Sequence, residues 1–257
     1  MRQRRSIAAV ETCFLDHGDG EPIVALHGIP TSSALFEPLL PELRGFRLIA
    51  PDLLGQGETE VPRTGRLNFA AYSRHLAAFL EDVAPPSFHL VLHDFGGVLG
   101  LTWANAHPER VRSVVLLSTT VTPSWRIAFL YLTSLLFGRE ALRWGIARTL
   151  RRNPHGHLRL ARHWAFPWTR RRCLRGLDHF DRGNLQKAVE GLRALARAPL
   201  VVWGEDDAVF PVAHARAILR ESPDAKLITI AGCGHWSPLD APAEVGRAIR
   251  EFLSRSR

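Results

Sequence analysis

Short aliphatic and β-branched runs recur along this chain with helical stretches between them, and that alternation restricts its fold more than any other feature. Phe46–Ala50, Phe88–Leu92, Val111–Leu117, Leu200–Trp203 and Lys226–Ile230 have the length and composition of buried strands. Asn68–Val83 and Phe95–His107 carry apolar residues at helical spacing. Pro242–Leu253 aligns Val245, Ile249, Phe252 and Leu253 on one stripe. Strand and helix in alternation predict an α/β architecture, a mostly parallel central sheet flanked by helices. Ile7–Leu15, a turn over His17-Gly18-Asp19-Gly20, and Pro22–Leu26 are expected to form an opening hairpin.

The alternation stops between residues 122 and 197. That stretch has helical patterns, no clear strand, and four of the seven tryptophans: Trp125, Trp144, Trp164 and Trp168. A helical insert between two strands of such a sheet is expected to cap its carboxyl edge, where open α/β sheets bind ligands. The expected division is a core domain of residues 1–121 and 198–257, with a helical cap of residues 122–197. The cap is also strongly basic. It holds 16 Lys+Arg against 4 Asp+Glu, whereas the rest of the chain holds 17 against 21. This excess fits a surface weakly drawn to anionic partners and sensitive to salt. It equally fits a solvated helical face in a chain whose only lysines are Lys187 and Lys226.

Length and composition narrow the class further. At 257 residues, 46% hydrophobic and 23% charged, the chain suits one larger α/β domain with a sizeable core. Cys13, Cys173 and Cys233 are odd in number and lack ligand spacing, which predicts reduced thiols in a cytoplasmic protein. The basic start Met1–Ser6 leads into no signal-like apolar run, and Ile127–Phe137 is too short to span a bilayer. The histidines are scattered and no glycine loop suits a phosphate, so neither metal nor organic cofactor is expected.

One segment carries the strongest chemical signal: Leu90-Val91-Leu92-His93-Asp94-Phe95-Gly96-Gly97, followed by a helical run. Strand, sharp turn and helix with small residues after the turn are the requirements of a nucleophile elbow. An aspartate before two glycines also serves as a plain helix cap. Three other segments weigh for chemistry. His27-Gly28-Ile29-Pro30 follows an apolar strand, so the Ile29 amide can pair with that of Phe95 as an oxyanion hole. Trp203-Gly204-Glu205-Asp206-Asp207 ends the next-to-last strand, and Gly232-Cys233-Gly234-His235 follows the last. Nucleophile, acid and histidine then run in the chain order that this architecture requires.

These segments, with Leu26–Ser33 and Ala50–Gly57, closely resemble the haloalkane dehalogenase and epoxide hydrolase branch of the α/β-hydrolases. The resemblance covers about Pro22–Ser118 and Pro199–Leu253, and little of the cap. It implies the α/β-hydrolase fold and a hydrolase of small apolar electrophiles that needs only substrate and water. Asp94 would form an alkyl ester, and His235, oriented by Asp207, would activate water to hydrolyse it. Asp207 rather than Asp206 matches the family's spacing from Gly204. His93 reads as a buried packing histidine.

Departures from the branch bear on the substrate. Phe95 stands where dehalogenases usually carry a tryptophan that donates to the halide, and Ile29 where many carry asparagine. Trp125, Trp164 and Trp168, with Trp144, are candidate halide donors from the cap, although such tryptophans usually serve as cap core. His27 and Tyr131 complete the candidate substrate contacts. Epoxide hydrolases usually use two cap tyrosines, whereas here Tyr131 is the only tyrosine in the cap stretch and Tyr72 belongs to the body. Leu92 is dehalogenase-like. The sequence therefore favours carbon–halide hydrolysis, with epoxide hydrolysis the alternative. A hydrolase-fold binding protein with a cationic cap is the alternative from another class.

Overall fold

The structure is a computed structural model that describes residues 1–61, 67–124, 148–153 and 181–255. Eight strands form one sheet: β1 Arg2–Ile7, β2 Val10–His17, β3 Glu21–Leu26, β4 Phe46–Pro51, β5 Phe88–His93, β6 Val111–Leu117, β7 Leu200–Gly204 and β8 Lys226–Ile230. Their order is β1-β2-β4-β3-β5-β6-β7-β8. The β1/β2 and β2/β4 pairs are antiparallel and the other pairs are parallel. The described helices are α1 Phe69–Val83, α2 Phe95–Ala106, α3 Arg182–Arg193, α4 Ala213–Glu221, α5 Ser237–Asp240 and α6 Pro242–Ser254.

The central strands are apolar on both faces because helices cover both, as parallel sheets require. Alternate residues of each strand enter opposite cores. Val24, Leu90, Leu92, Leu116 and Val201 pack with α1, α2, α3 and α4. Ile23, Val91, Val115, Leu117 and Val202 pack on the other face with Val245, Ile249 and Leu253 of α6. Asn68 caps α1, its side chain accepting the Ala71 N–H. No described helix is long and apolar enough to cross a membrane. Cys13 and Cys233 are buried free thiols, and Cys173 lies outside the described residues.

The opening hairpin differs from the sequence expectation. Residues 22–26 do not fold back on 7–15, because β4 lies between β2 and β3. The hairpin is β1–β2, turned at Ala8 and Ala9 with φ of 48° and 63°. Two alanines give no glycine or asparagine signature for such a turn. The turn at Gly18 does exist, with φ of 87°, but it is wedged against β4, where a Cβ would lie 2.2 Å from the Phe46 carbonyl oxygen.

Helix α3 falls inside the stretch 122–197, yet it lies along α2 as part of the layer that flanks the sheet. Leu185, Ala188, Val189 and Leu192 join the core on that side. The approach is closest at Gly191, where a Cβ would lie 2.0 Å from the Leu101 carbonyl oxygen. Gly191→Ala should therefore cost about 1–3 kcal/mol of unfolding free energy by urea denaturation. An unchanged midpoint would contradict this contact.

Candidate active site

Parallel strands end on the same edge, and that edge brings Asp94, Ile29, Asp207 and His235 together. Asp94 follows β5 and precedes the first turn of α2, with φ of 51° and ψ of −123°. A non-glycine residue rarely holds such a backbone, and strain of this kind gathers at functional sites. The surroundings enforce it. A Cβ on Gly96 would lie 2.3 Å from the Leu26 carbonyl oxygen, so α2 approaches β3 as closely as a side-chain-free residue permits. Thr119 donates its hydroxyl to the Asp94 carbonyl at 2.7 Å, a contact that no sequence pattern announced.

The aspartate is not a helix cap. Its side chain makes no capping bond to α2. Oδ1 instead accepts the Ile29 N–H at 3.0 Å, and Oδ2 lies 3.6 Å from His235 Nε2. Phe95 opens α2, whose first-turn amides point out of its N-terminal end. The Phe95 ring is fully buried in the body, edge-on to Phe69 and Tyr72 at 6.1 and 5.2 Å. Tyr72 is thus a body residue, as its helix α1 implies.

The loop after β3 is braced from behind. His27 Nε2 accepts the Leu53 N–H at 2.9 Å, so Nδ1 carries the proton and faces the Gly28 carbonyl at 2.7 Å. Burial pushes this imidazole's pKa down, which keeps it neutral. His27 has no exposed surface and both nitrogens are engaged, so its expected substrate contact is corrected: it supports the Ile29 loop. Asp52 adds to the brace by accepting from the Ser33 N–H and hydroxyl, each at 2.7 Å.

His235 stands between two buried carboxylates. Its Nδ1 meets Asp207 Oδ2 at 3.0 Å, while Asp207 Oδ1 accepts the N–H groups of Val209 and Phe210, both at 2.8 Å. The neighbouring Asp206 is exposed. Burial alone would lower the imidazole pKa, but Asp207 and then Asp94 outweigh it and raise the value to about 9. His93 lies beside His235, with ring centroids 4.9 Å apart. It donates from Nε2 to the His235 carbonyl at 3.1 Å, and burial pushes it down to about 4, so it stays neutral. Trp125, Tyr131, Trp144, Trp164 and Trp168 lie outside the described residues. Among the described residues no cluster of His, Cys, Asp and Glu could hold a metal ion.

A family model described as the alpha/beta hydrolase fold matches residues 21–169, more than half of the chain, and the chain belongs to that family. Among its relatives, 2-hydroxymuconate semialdehyde hydrolase of Pseudomonas putida is 28% identical, covering 97% of this chain and 92% of that one. A haloalkane dehalogenase of Sphingobium indicum is 29% identical, covering 95% and 92%. The structure of a thermophilic esterase from Thermogutta terrifontis superposes with a TM-score of 0.83 at 23% identity, over 100% of this chain and 99% of that one. The chain is thus a hydrolase of the α/β fold, and its relatives act on different bonds.

The charge on His235 makes a direct prediction. Its folded pKa of about 9 lies above its ordinary 6.5, so its ion pairs stabilise the fold fully below pH 6.5. That contribution is lost as pH rises through 9. An NMR titration should find this imidazole deprotonating near pH 9, and Asp94→Asn should lower the value. Ordinary titration near 6.5 in the wild type would contradict the paired geometry.

Proposed function

We propose that this protein hydrolyses small apolar electrophiles at saturated carbon through an ester on Asp94, with alkyl halides as the leading substrate class. The observation that carries the reading is the Asp94 carboxylate itself. It sits at a strained elbow, makes no helix-capping bond, and is shared between an amide donor and an imidazole. A carboxylate suits displacement at saturated carbon, because the ester that forms keeps its carbonyl on the enzyme.

The two carboxylate oxygens would divide the work. Oδ2 attacks carbon, the carbon–halogen bond breaks, and the halide leaves with the bonding pair. Oδ1 becomes the ester carbonyl oxygen, already facing the Ile29 N–H, with the Phe95 amide as second donor. Esterification also removes one of the two charges that hold His235 protonated, so the imidazole pKa falls and its proton can leave. Neutral His235, oriented by Asp207, then takes a proton from water as that water attacks the ester carbonyl carbon. Collapse breaks the bond to the alkyl oxygen, which takes that proton back from His235 and leaves as the alcohol, restoring Asp94.

The leaving group needs its own donor. The Phe95 ring has none, and the indole N–H groups of Trp203 and Trp236 go to the Phe210 carbonyl and the Thr149 hydroxyl. Trp125, Trp144, Trp164 and Trp168 are the candidate halide donors from the cap stretch. Epoxide opening would rely on Tyr131 as acid. Phe95 and Ile29, standing where dehalogenases usually carry halide donors, keep epoxide hydrolysis as the second reading.

One experiment tests both. His235→Gln should still be alkylated but should release product at least about a hundredfold more slowly. Intact-protein mass spectrometry after 1-bromobutane or 1,2-epoxybutane should find butyl or hydroxybutyl mass on Asp94, and the electrophile that labels identifies the substrate class. Turnover of simple esters by the wild type, with no mass on Asp94 from either electrophile, would contradict the proposal.

A further inference from the structure

The loop that carries His235 is fixed by a residue that touches none of the reacting groups. Asp240 ends α5, and its carboxylate is buried. Oδ2 accepts the Gly234 N–H at 2.8 Å and the Arg151 N–H at 3.0 Å. Oδ1 accepts the N–H groups of Arg151, Arg152 and Asn153, each at 3.1 Å. Four backbone amides from two separate segments thus converge on one side chain. Charge-assisted bonds of this kind are about twice as strong as neutral ones, and a buried donor left unpaired is costly.

Thr149 closes a second set of links between the same two segments. Its carbonyl accepts the His235 N–H at 3.2 Å, and its hydroxyl accepts the Trp236 indole N–H at 2.7 Å. A Cβ on Gly234 would lie 2.0 Å from the Thr149 carbonyl oxygen, so the two backbones touch where the imidazole begins. The Trp236 ring then lies against the rings of His235 and His93, with centroids 4.8 and 5.3 Å away. Arg152 adds a bond to the Ala231 carbonyl at the start of the same loop.

We propose that Asp240 is a positioning residue: its carboxylate locks residues 148–153 to the His235 loop, so that this segment and the imidazole hold one register. Both oxygens are in use: Oδ2 bridges Gly234 and Arg151, and Oδ1 holds residues 151–153. An amide at this position would keep one acceptor and turn an N–H2 group toward amide donors, leaving either the Gly234 donor or those of Arg152 and Asn153 unpaired. The segment 148–153 comes from the stretch that the sequence assigns to the cap. A displacement of residues 148–153 would therefore move His235 relative to Asp207 and Asp94.

The catalytic consequence rests on the aspartyl-ester reading, in which His235 acts only in the second half. A misplaced imidazole should slow ester hydrolysis and spare alkylation. The test uses the full-length chain as Asp240→Asn and, as a milder variant that keeps side-chain shape, Thr149→Val. Thermal unfolding first selects the variant that folds. In it, the His235 imidazole should titrate below about 9, shifted toward 6.5, because its contact with Asp207 has loosened. Rapid-quench measurements with 1-bromobutane should show release slowed about tenfold or more, with alkylation within about twofold of the wild type. Wild-type titration of His235 in a variant that folds would overturn the inference, with or without a productive substrate. Equal slowing of alkylation and release would overturn it too. Absence of label on Asp94 in every variant, His235→Gln included, would instead count against the ester reading, and the titration would still judge Asp240.

Discussion

Everything at the carboxyl edge of the sheet depends on one imidazole held between two buried carboxylates. Removing three ionisable groups from water is costly unless they pair with one another and with further donors. Here Asp207 is satisfied by His235 and two amides, and Asp94 by His235 and the Ile29 amide. The pairing explains why four loops from distant parts of the chain must end side by side. Only a parallel sheet brings β3, β5, β7 and β8 to that edge together. The two flanking cores hold those strands in register, so the site is a consequence of the sheet and not an addition to it.

Strain at Asp94 is the second constraint. Its positive φ is held by Thr119 from one side and by glycine contacts that admit no side chain on the other. A Cβ on Gly28 would lie 2.0 Å from Asp94 Oδ1, so the oxyanion loop is pressed directly on the carboxylate. The brace behind that loop explains the second motif. Asp52 and Leu53, from Ala50–Gly57, serve Ser33 and His27.

Legibility in the sequence followed from how each contact is made. The elbow was readable because its sterics leave a glycine signature at Gly96 and Gly97. The sequence also pointed to Asp207 over Asp206, and only Asp207 is buried against His235. Asp240 was not readable: its partners are backbone amides up to 89 residues away, which any residue type supplies. The Ala8–Ala9 turn likewise lacks a side-chain signal. Helix α3 carries an apolar stripe that would read identically on a cap or against a sheet, and only the fit of Gly191 on α2 assigns it. His27 was a candidate substrate contact, yet its nitrogens engage the Gly28 carbonyl and the Leu53 N–H.

The central claim is that Asp94, and not water, first bonds to the substrate carbon. A single-turnover reaction with enzyme in excess, run in 18O-labelled water with 1-bromobutane, tests it directly. Ester hydrolysis at the Asp94 carbonyl carbon should release unlabelled butanol and leave one 18O in the Asp94 carboxylate, read by peptide mass spectrometry. Butanol carrying 18O in that first turnover, with Asp94 unlabelled, would contradict the account.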